Sequence, residues 1–243
     1  MAKLKTFNGT KDHKVVSRKA WLSARKALLQ KEKNFTRAYD QLKKQRRSLP
    51  WVKVDKEYVF DGPRGKESLS ELFDSKRQLI VYHFMFGPDW DEGCAHCSFW
   101  ADHYDGPGLH LGQRDTAMVV ISRAPFKKLQ AFKKRMGWKF KWLSSGGNDF
   151  NFDYGVSFRP AEIKSGTVFY NYKNIAMDMP EREGVSAFYK DDKGDVYHTY
   201  SSYARGIDML NTTYHLLDLT AKGRDEDPEF TQGWVTYHDK YKA

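Results

Sequence analysis

Two short apolar runs with a Cys-x-x-Cys sequence between them constrain the fold of this 243-residue chain more than any other feature. Residues 79–86 and 118–122 are apolar almost throughout, and both runs are short enough to be buried strands. Cys94 and Cys97 lie between them, in a segment that indicates a turn into a helix. A strand, a helix and a second strand in this order predict a parallel pair joined by a right-handed crossover.

The second half of the chain is expected to add antiparallel strands to that pair. Residues 186–190 and 195–200 flank the sequence Asp-Asp-Lys-Gly, which is a strong hairpin signal. Residues 207–219 indicate a closing helix. The predicted fold is therefore α/β, a mixed sheet flanked by helices. With a Cys-x-x-Cys at the top of its first buried strand, this is the layout of a thioredoxin-like fold.

The positive charge of the chain is concentrated near its N-terminus. Residues 1–50 hold 15 Lys and Arg against 3 Asp and Glu, whereas residues 51–243 hold 26 against 28. Ser17 can cap a helix that neither Gly nor Pro interrupts before Leu49-Pro50. Apolar residues at heptad spacing give this basic helix one apolar face: Trp21, Leu28, Phe35 and Leu42.

Four segments follow from these patterns. They are a disordered or loose N-terminus (1–16), an amphipathic helical arm (17–48), a thioredoxin-like domain (49–219) and a C-terminal tail packed on that domain (220–243). We expect the apolar face of the arm to pack on the globule or on a second copy, so a homodimer through residues 17–48 is one prediction. Lys43, Lys44, Arg46 and Arg47 are the best support for a nucleic-acid-binding arm, which is the less favoured alternative.

Composition excludes several other classes of protein. No apolar run approaches the ~20 residues that a membrane span needs, and residues 1–16 are polar, unlike a signal peptide. Two cysteines cannot form the disulfide framework of a small secreted domain. We therefore expect a cytoplasmic protein without membrane partners, whose thiols are reduced unless they turn over.

The two cysteines are the strongest candidates for chemistry. At helical spacing their sulfurs lie one turn apart, and the first-turn amides favour a thiolate at Cys94. Cys97 would then be the resolving thiol that expels a mixed disulfide. His96 is expected to help hold the thiolate if it faces Cys94, whereas Asp91 and Glu92 would oppose ionisation if they lie close.

Other side chains are candidates for supporting roles. Trp90 is expected to wall the cysteine site. Arg123 follows the second buried strand and should emerge at the same sheet end as Cys94, where it would stabilise a thiolate, anchor an anion or form a surface ion pair. A cluster of aromatic residues further on is expected either to pack in the core or to line a pocket: Phe150, Phe152, Tyr154, Phe158, Phe169, Tyr170 and Tyr172.

Two other interpretations of the cysteine pair stay open. In one, both are small buried hydrophobic residues. In the other they bind structural zinc together with His103 and His110, which are seven residues apart. The chain has no second Cys pair and no His-x₃₋₅-His spacing, so the zinc pattern is incomplete. No cofactor is expected.

Several motifs resemble a known bacterial family over residues 15–240. They include Cys97-Ser98-Phe99-Trp100-Ala101-Asp102, Ser122-Arg123-Ala124-Pro125, Tyr203-Ala204-Arg205-Gly206 and the stretches 21–29, 49–52, 78–90, 93–94 and 222–226. Together they resemble the thioredoxin-like domain-of-unknown-function family 899, whose members are described as predicted dithiol–disulfide oxidoreductases. The resemblance implies a thioredoxin fold of the peroxiredoxin-like branch, with Cys94 and Cys97 as the redox pair.

The sequence departs from better-known relatives at several positions. Thioredoxins have a Trp before the first Cys, where this chain has Gly93, and a cis-proline before the facing strand, which here opens with Gly184. Peroxiredoxins have Pro and Thr or Ser where this chain has Gly87 and Asp91, so peroxidase activity is not favoured. The pair Ala95-His96 is similar to the x-His of protein disulfide isomerases, which implies a more oxidising couple if His96 faces Cys94.

The leading hypothesis is a thiol–disulfide oxidoreductase that works through a mixed disulfide. Its expected partners are a disulfide-containing protein or a small-molecule thiol substrate, and an external reductant. The alternatives are a non-catalytic thioredoxin-fold binding or interaction protein that uses the aromatic pocket, and a zinc-stabilised module.

Overall fold

The computed structural model describes residues 8–11 and 13–242, which form two compact units. One consists of residues within Met1–Pro50 together with Asp225–Thr231, and the other of Trp51–Arg224 together with residues within Gln232–Ala243. The prediction that residues 1–16 are loosely held falls in part on residues 1–7 and 12, which lie outside the described residues. The other predicted segment boundaries stay predictions.

Within the described residues there are ten strands and seven α-helices. The strands are β1 (Val52–Lys53), β2 (Val59–Gly62), β3 (Gly65–Ser68), β4 (Gln78–His83), β5 (Thr116–Ser122), β6 (Lys141–Ser144), β7 (Thr167–Tyr170), β8 (Lys173–Ala176), β9 (Gly184–Lys190) and β10 (Val196–Tyr203). The α-helices are α1 (Arg18–Arg47), α2 (Ala95–Ala101), α3 (Pro107–Gly112), α4 (Phe126–Arg135), α5 (Phe150–Asp153), α6 (Pro160–Lys164) and α7 (Thr212–Leu217). Four short 3₁₀ helices complete them: Gly9–Lys11, Leu69–Phe73, Ala204–Leu210 and His238–Lys240.

Eight strands form one mixed sheet in the order β1-β10-β9-β4-β5-β6-β2-β3. Strand β4 is parallel to β5 and antiparallel to β9, and β9 is antiparallel to β10. The four central strands, β5-β4-β9-β10, with helices in the connection from β4 to β5, have the topology of the thioredoxin fold. The predicted fold class is therefore confirmed.

Strands β4 and β5 are apolar because both faces of the sheet are covered there. Alternate residues of β4 enter different core clusters, with Leu79 and Val81 on one face and Tyr82 on the other. Strand β5 repeats the pattern, with Val119 on the first face and Val120 on the second. This two-sided burial explains why the strands appear as near-continuous apolar runs in the sequence.

The N-terminal helix is present as predicted. The Ser17 side chain accepts a hydrogen bond from the Ala20 N–H at 3.3 Å, and α1 ends at Arg47, shortly before Leu49-Pro50. None of the residues of α1 is buried. Within the described part of the chain, no helix combines the length and apolarity that a membrane crossing requires.

Two parts of the second half differ from the prediction. The expected closing helix is divided into the 3₁₀ helix Ala204–Leu210 and α7, because Asn211 is extended and its side chain caps α7 at the Tyr214 N–H. The hairpin of β7 and β8 was not predicted. Its turn places Asn171 and Tyr172 at positive φ. Turns of this kind are usually marked by Gly, so a Tyr at this position gives no sequence signal for a turn.

A buried serine joins three elements of the main core. The Ser122 hydroxyl donates to the Phe84 carbonyl at 2.7 Å and accepts from the Trp142 indole N–H at 3.0 Å. We expect Ser122→Ala to lower the free energy of unfolding by about 2 kcal/mol, because a buried acceptor and a buried donor lose their partner. Urea unfolding measures the effect. Ser75→Ala, at an exposed position, is the control, and an equal loss in both variants would contradict the prediction.

Candidate active site

The chain turns sharply between β4 and α2, and this turn positions the cysteines. The Cys94 N–H donates to the Met85 carbonyl at 3.0 Å, and Cys94 is the N-cap residue of α2. Its sulfur accepts from the Cys97 N–H, with 3.5 Å between the Cys97 nitrogen and Cys94 Sγ. Both cysteines are free thiols. The pair therefore lies at the start of a helix that follows the first central strand.

The two thiols have opposite electrostatic environments. The hydrogen bond from the Cys97 thiol lowers the pKa of Cys94 against the effect of burial, and the backbone N–H groups of Cys97 and His96 lower it further. Burial raises the pKa of Cys97 well above its ordinary value, and the neighbouring Cys94 raises it further. Cys94 is consequently the thiol that ionises first, and Cys97 is held protonated beneath it.

Two buried tyrosines surround the inner thiol. Tyr82 on β4 and Tyr104 after α2 pack with their ring centroids 4.9 Å apart. Among the described residues, neither hydroxyl makes a hydrogen bond of good geometry. Burial, followed by the Cys97 charge, raises the pKa of both tyrosines. The Cys97 sulfur is thus close to two hydroxyl donors for which residues 8–11 and 13–242 provide no other acceptor.

Gly93 fits the site because it has no side chain. A Cβ at this position would lie 2.6 Å from the Phe84 ring, closer than packed carbon atoms allow. The Gly93 carbonyl accepts a hydrogen bond from the Tyr237 hydroxyl at 2.7 Å. The residue that is Trp in thioredoxins is therefore buried backbone in this protein, held by ring packing and one hydrogen bond.

Both cysteines line a cavity of about 400 Å³. Its floor includes Tyr82 and Trp100, and the Trp100 indole N–H donates to the Ile207 carbonyl at 3.0 Å. The other lining residues come mainly from the segment before β9 and the 3₁₀ helix after β10: Met85, His96, Met179, Arg182, Glu183, Ala204, Arg205, Ile207, Asp208 and Gln232. A volume of this size is typical of small-molecule sites.

The three predicted supporting residues are placed differently. His96 lines the cavity, but its backbone N–H rather than its ring acts on Cys94. Trp90 does not line this cavity. Its indole packs over Gly87, and a Cβ built on Gly87 would lie 2.9 Å from the indole nitrogen. Arg123 is paired with Glu181 at 3.0 Å and does not reach the cavity either. Arg123 therefore forms an ion pair with a buried carboxylate, not the surface ion pair that was one of the alternatives.

The ligands of the zinc alternative are not brought together. Among residues 8–11 and 13–242, no group of three or more His, Cys, Asp or Glu side chains is arranged to hold a metal ion. His103 faces the Thr213 hydroxyl at 3.1 Å, and His110 is exposed on α3. The two histidines therefore do not complete a site with the cysteines.

The acid that acts on the thiols is Glu183, which the sequence analysis did not identify. Its charge raises the pKa of both cysteines. Glu92 instead pairs with Arg135 at 2.5 Å and with Lys240 at 3.3 Å. Because Glu183 and Arg182 reach the cavity through the pairing of β9 with β4, no local sequence signal links them to the cysteines.

The aromatic cluster forms a second, separate cavity of about 330 Å³. Phe150 is instead in the core. The other six members of the predicted cluster line the cavity together with His198 and Tyr203: Phe152, Tyr154, Phe158, Phe169, Tyr170 and Tyr172. Phe158 and Tyr170 also pack in a smaller core cluster, so core packing and cavity lining overlap in these two residues.

The topology and the cysteine geometry define a thioredoxin-fold protein with a dithiol at the start of the helix after its first central strand. The chain belongs to the family described as "Bacterial protein of unknown function (DUF899)", whose model matches residues 10–241. No curated protein matches it.

Several solved structures are similar to the chain at low sequence identity. Peroxidoxin BcpB from Mycobacterium tuberculosis is 17% identical, with a TM-score of 0.43 over 67% of this chain and 94% of that one. Peroxiredoxin Q from Xanthomonas campestris is 10% identical, with a TM-score of 0.44 over 64% and 85%. The mitochondrial 2-Cys peroxiredoxin from Plasmodium falciparum is 12% identical, with a TM-score of 0.40 over 69% and 92%. Likenesses at this level carry no information about activity.

The carboxylate of Glu183 makes a testable contribution to the reactivity of Cys94. Glu183→Gln removes a negative charge that raises the pKa of Cys94, so the pH profile of its alkylation should move to lower pH. At neutral pH we expect alkylation by iodoacetamide to become about three- to tenfold faster. Glu92→Gln is the matched control, since Glu92 pairs with Arg135. Equal shifts in the two variants would contradict the assignment.

Proposed function

We propose that the protein is a thiol–disulfide oxidoreductase in which Cys94 is the nucleophile and Cys97 the resolving thiol. The observation that carries this proposal is the position of the Cys94 sulfur. It accepts the Cys97 N–H at the start of α2 and lines a cavity that can admit a substrate. A lowered pKa gives Cys94 more thiolate near neutral pH, and the thiolate is the species that attacks a disulfide.

In the first step the Cys94 thiolate attacks one sulfur of the substrate. A bond forms between Cys94 and that sulfur, the substrate S–S bond breaks, and the first substrate thiol leaves after taking a proton. In the second step Cys97 loses its proton and attacks the Cys94 sulfur. This releases the second thiol and leaves a Cys94–Cys97 disulfide, and an external dithiol then reduces the pair by two electrons.

The environment of Cys97 suits this order of events. While Cys94 is ionised, its charge raises the pKa of Cys97 and keeps the inner thiol protonated. Formation of the mixed disulfide neutralises Cys94, so that contribution disappears when Cys97 has to react. The hydroxyls of Tyr82 and Tyr104 can then donate to the Cys97 thiolate, which compensates for its burial.

The test is turnover of a simple disulfide. The purified protein should reduce hydroxyethyl disulfide and the interchain disulfides of insulin when dithiothreitol is supplied, at rates well above those of dithiothreitol alone. The same preparation is assayed with hydrogen peroxide, toward which we expect little activity. Reduction of neither disulfide, beside an active thioredoxin control, would refute the proposal.

The aromatic cavity favours one second candidate, a non-catalytic binding protein. Six aromatic residues of the cluster surround that cavity, which neither cysteine lines. This alternative predicts binding of an aromatic or cationic small molecule that does not change when both cysteines are replaced by serine. Saturable quenching of intrinsic fluorescence by such ligands, in a protein without disulfide reductase activity, would support it.

A further inference from the structure

Two adjacent residues give the cysteine cavity one positive and one negative group. Arg182 and Glu183 both line it, immediately before β9. The Arg182 guanidinium donates to the Met177 sulfur at 3.1 Å and has no carboxylate within ion-pair distance in the described chain. Glu183 has no cationic partner among the same residues, and its side chain is 3.4 Å from the Tyr170 hydroxyl. Both charges are therefore available to a ligand.

The other charges of the cavity wall are already neutralised. Asp208 lies between two guanidinium groups, at 3.2 Å from Arg224 and 3.4 Å from Arg205. Arg205 is largely exposed, with 89% of its side chain accessible, so solvent also screens its charge. Among the described residues that line the cavity, the charged side chains without an ion pair are Arg182 and Glu183, and burial of a ligand would strengthen its interactions with both.

We infer that the substrate is a low-molecular-weight disulfide with amino-acid head groups, such as cystine or a disulfide of a short peptide. Arg182 would bind the α-carboxylate and Glu183 the α-ammonium of one half. The carbon chain between head group and sulfur would contact the wall formed by Met85, Trp100 and Ile207. A cavity of about 400 Å³ suits a molecule of this size better than a folded protein segment.

This inference rests on the proposed function and uses the same two steps. Cys94 attacks the sulfur of the bound half, and the other half leaves as a free amino-acid thiol. Cys97 then displaces the bound half as a second thiol. One disulfide is reduced to two thiols while the dithiol of the protein becomes a disulfide, and dithiothreitol in the assay restores it.

Four disulfides that differ in charge test the inference. L-Cystine has both head-group charges, cystamine only the ammonium, 3,3′-dithiodipropionate only the carboxylate, and hydroxyethyl disulfide neither. We expect kcat/KM for cystine to exceed that for hydroxyethyl disulfide by about tenfold or more. Each rate is taken relative to the reaction of dithiothreitol alone, so that intrinsic reactivity cancels.

Two substitutions test which cavity residue binds which head group of the substrate. Arg182→Met should remove the advantage of cystine over cystamine, and Glu183→Gln the advantage of cystine over dithiodipropionate. Ratios between substrates are compared because Glu183→Gln also changes the reactivity of Cys94. Arg159→Met, on an exposed side chain paired with Asp149 outside the cavity, should leave every ratio unchanged.

A binding readout avoids dependence on turnover. L-Cystathionine has the same head groups but a thioether in place of the disulfide. It should raise the melting temperature of Cys94→Ser, and this increase should be lost when Arg182→Met is added. Turnover of hydroxyethyl disulfide with no preference for cystine and no effect of cystathionine would overturn the substrate class alone. Turnover of none of the four disulfides, together with no reduction of insulin, would overturn the proposed function.

Discussion

Replacing Cys94 by serine is expected to remove disulfide reductase activity, lowering the rate by at least about a thousandfold to that of the external thiol alone. The serine hydroxyl is not ionised near neutral pH, so the attack on the substrate cannot begin. The fold should be preserved, because the hydroxyl can still accept the Cys97 N–H at the N-cap of α2. Circular dichroism and urea unfolding check the fold, and the insulin and hydroxyethyl disulfide assays measure activity.

The Cys97→Ser variant should fail at the next step. Its Cys94 still attacks, but no neighbouring thiol resolves the product, so a mixed disulfide with the substrate should accumulate and be visible by intact mass. Addition of dithiothreitol should release it. Accumulation in Cys94→Ser instead, or equal activity of both serine variants, would reverse or refute the assignment of roles.

The second large effect is expected from the two tyrosines beside Cys97. Tyr82→Phe and Tyr104→Phe each remove one hydroxyl donor and keep the ring packing. We expect each variant to slow release of the second substrate thiol by about tenfold, and the double variant by about a hundredfold, because charge-assisted hydrogen bonds to the Cys97 thiolate are lost. Stopped-flow measurement of the two thiols separates this step from the initial attack.

A purely structural role for the hydroxyls of Tyr82 and Tyr104 predicts a different effect on stability. The two hydroxyls lack hydrogen bonds of good geometry among the described residues, so their removal should leave the stability of the reduced protein unchanged or raise it. Tyr58→Phe is the control, since its hydroxyl donates to Asp153 at 2.8 Å, outside the cysteine cavity. Loss of stability without a slower second step would contradict the proposed role.

The central part of the fold could be predicted because its signals are local. The runs that became β4 and β5 are buried on both faces, and the hairpin of β9 and β10 is marked by a four-residue turn sequence. Strand β6 was missed, since only Lys141–Ser144 lies in the sheet and a stretch rich in Gly, Ser and Asn follows it directly. Such short elements are specified by their neighbours in the sheet rather than by their own periodicity.

The cysteines could be predicted but most of their surroundings could not. Positions along the chain indicated the Cys94–Cys97 pair and Arg123 as site residues. Arg123 instead forms an ion pair with buried Glu181. Arg182 and Glu183 lie more than eighty residues from Cys94 and reach it only because β9 pairs with β4. Proximity in sequence is a poor guide to the charges around a thiol when strand pairing brings in a carboxylate from a distant part of the chain.

The two cysteines are the only ones in this chain, and both lie in one loop-to-helix segment. Four states, folded or unfolded and reduced or oxidised, therefore form a single thermodynamic cycle. The difference between the unfolding free energies of the reduced and oxidised protein, divided by the charge of the two electrons transferred, equals the change that folding makes to the reduction potential of the pair. Two denaturation curves, one with and one without the disulfide, would thus show whether folding makes this pair more reducing or more oxidising.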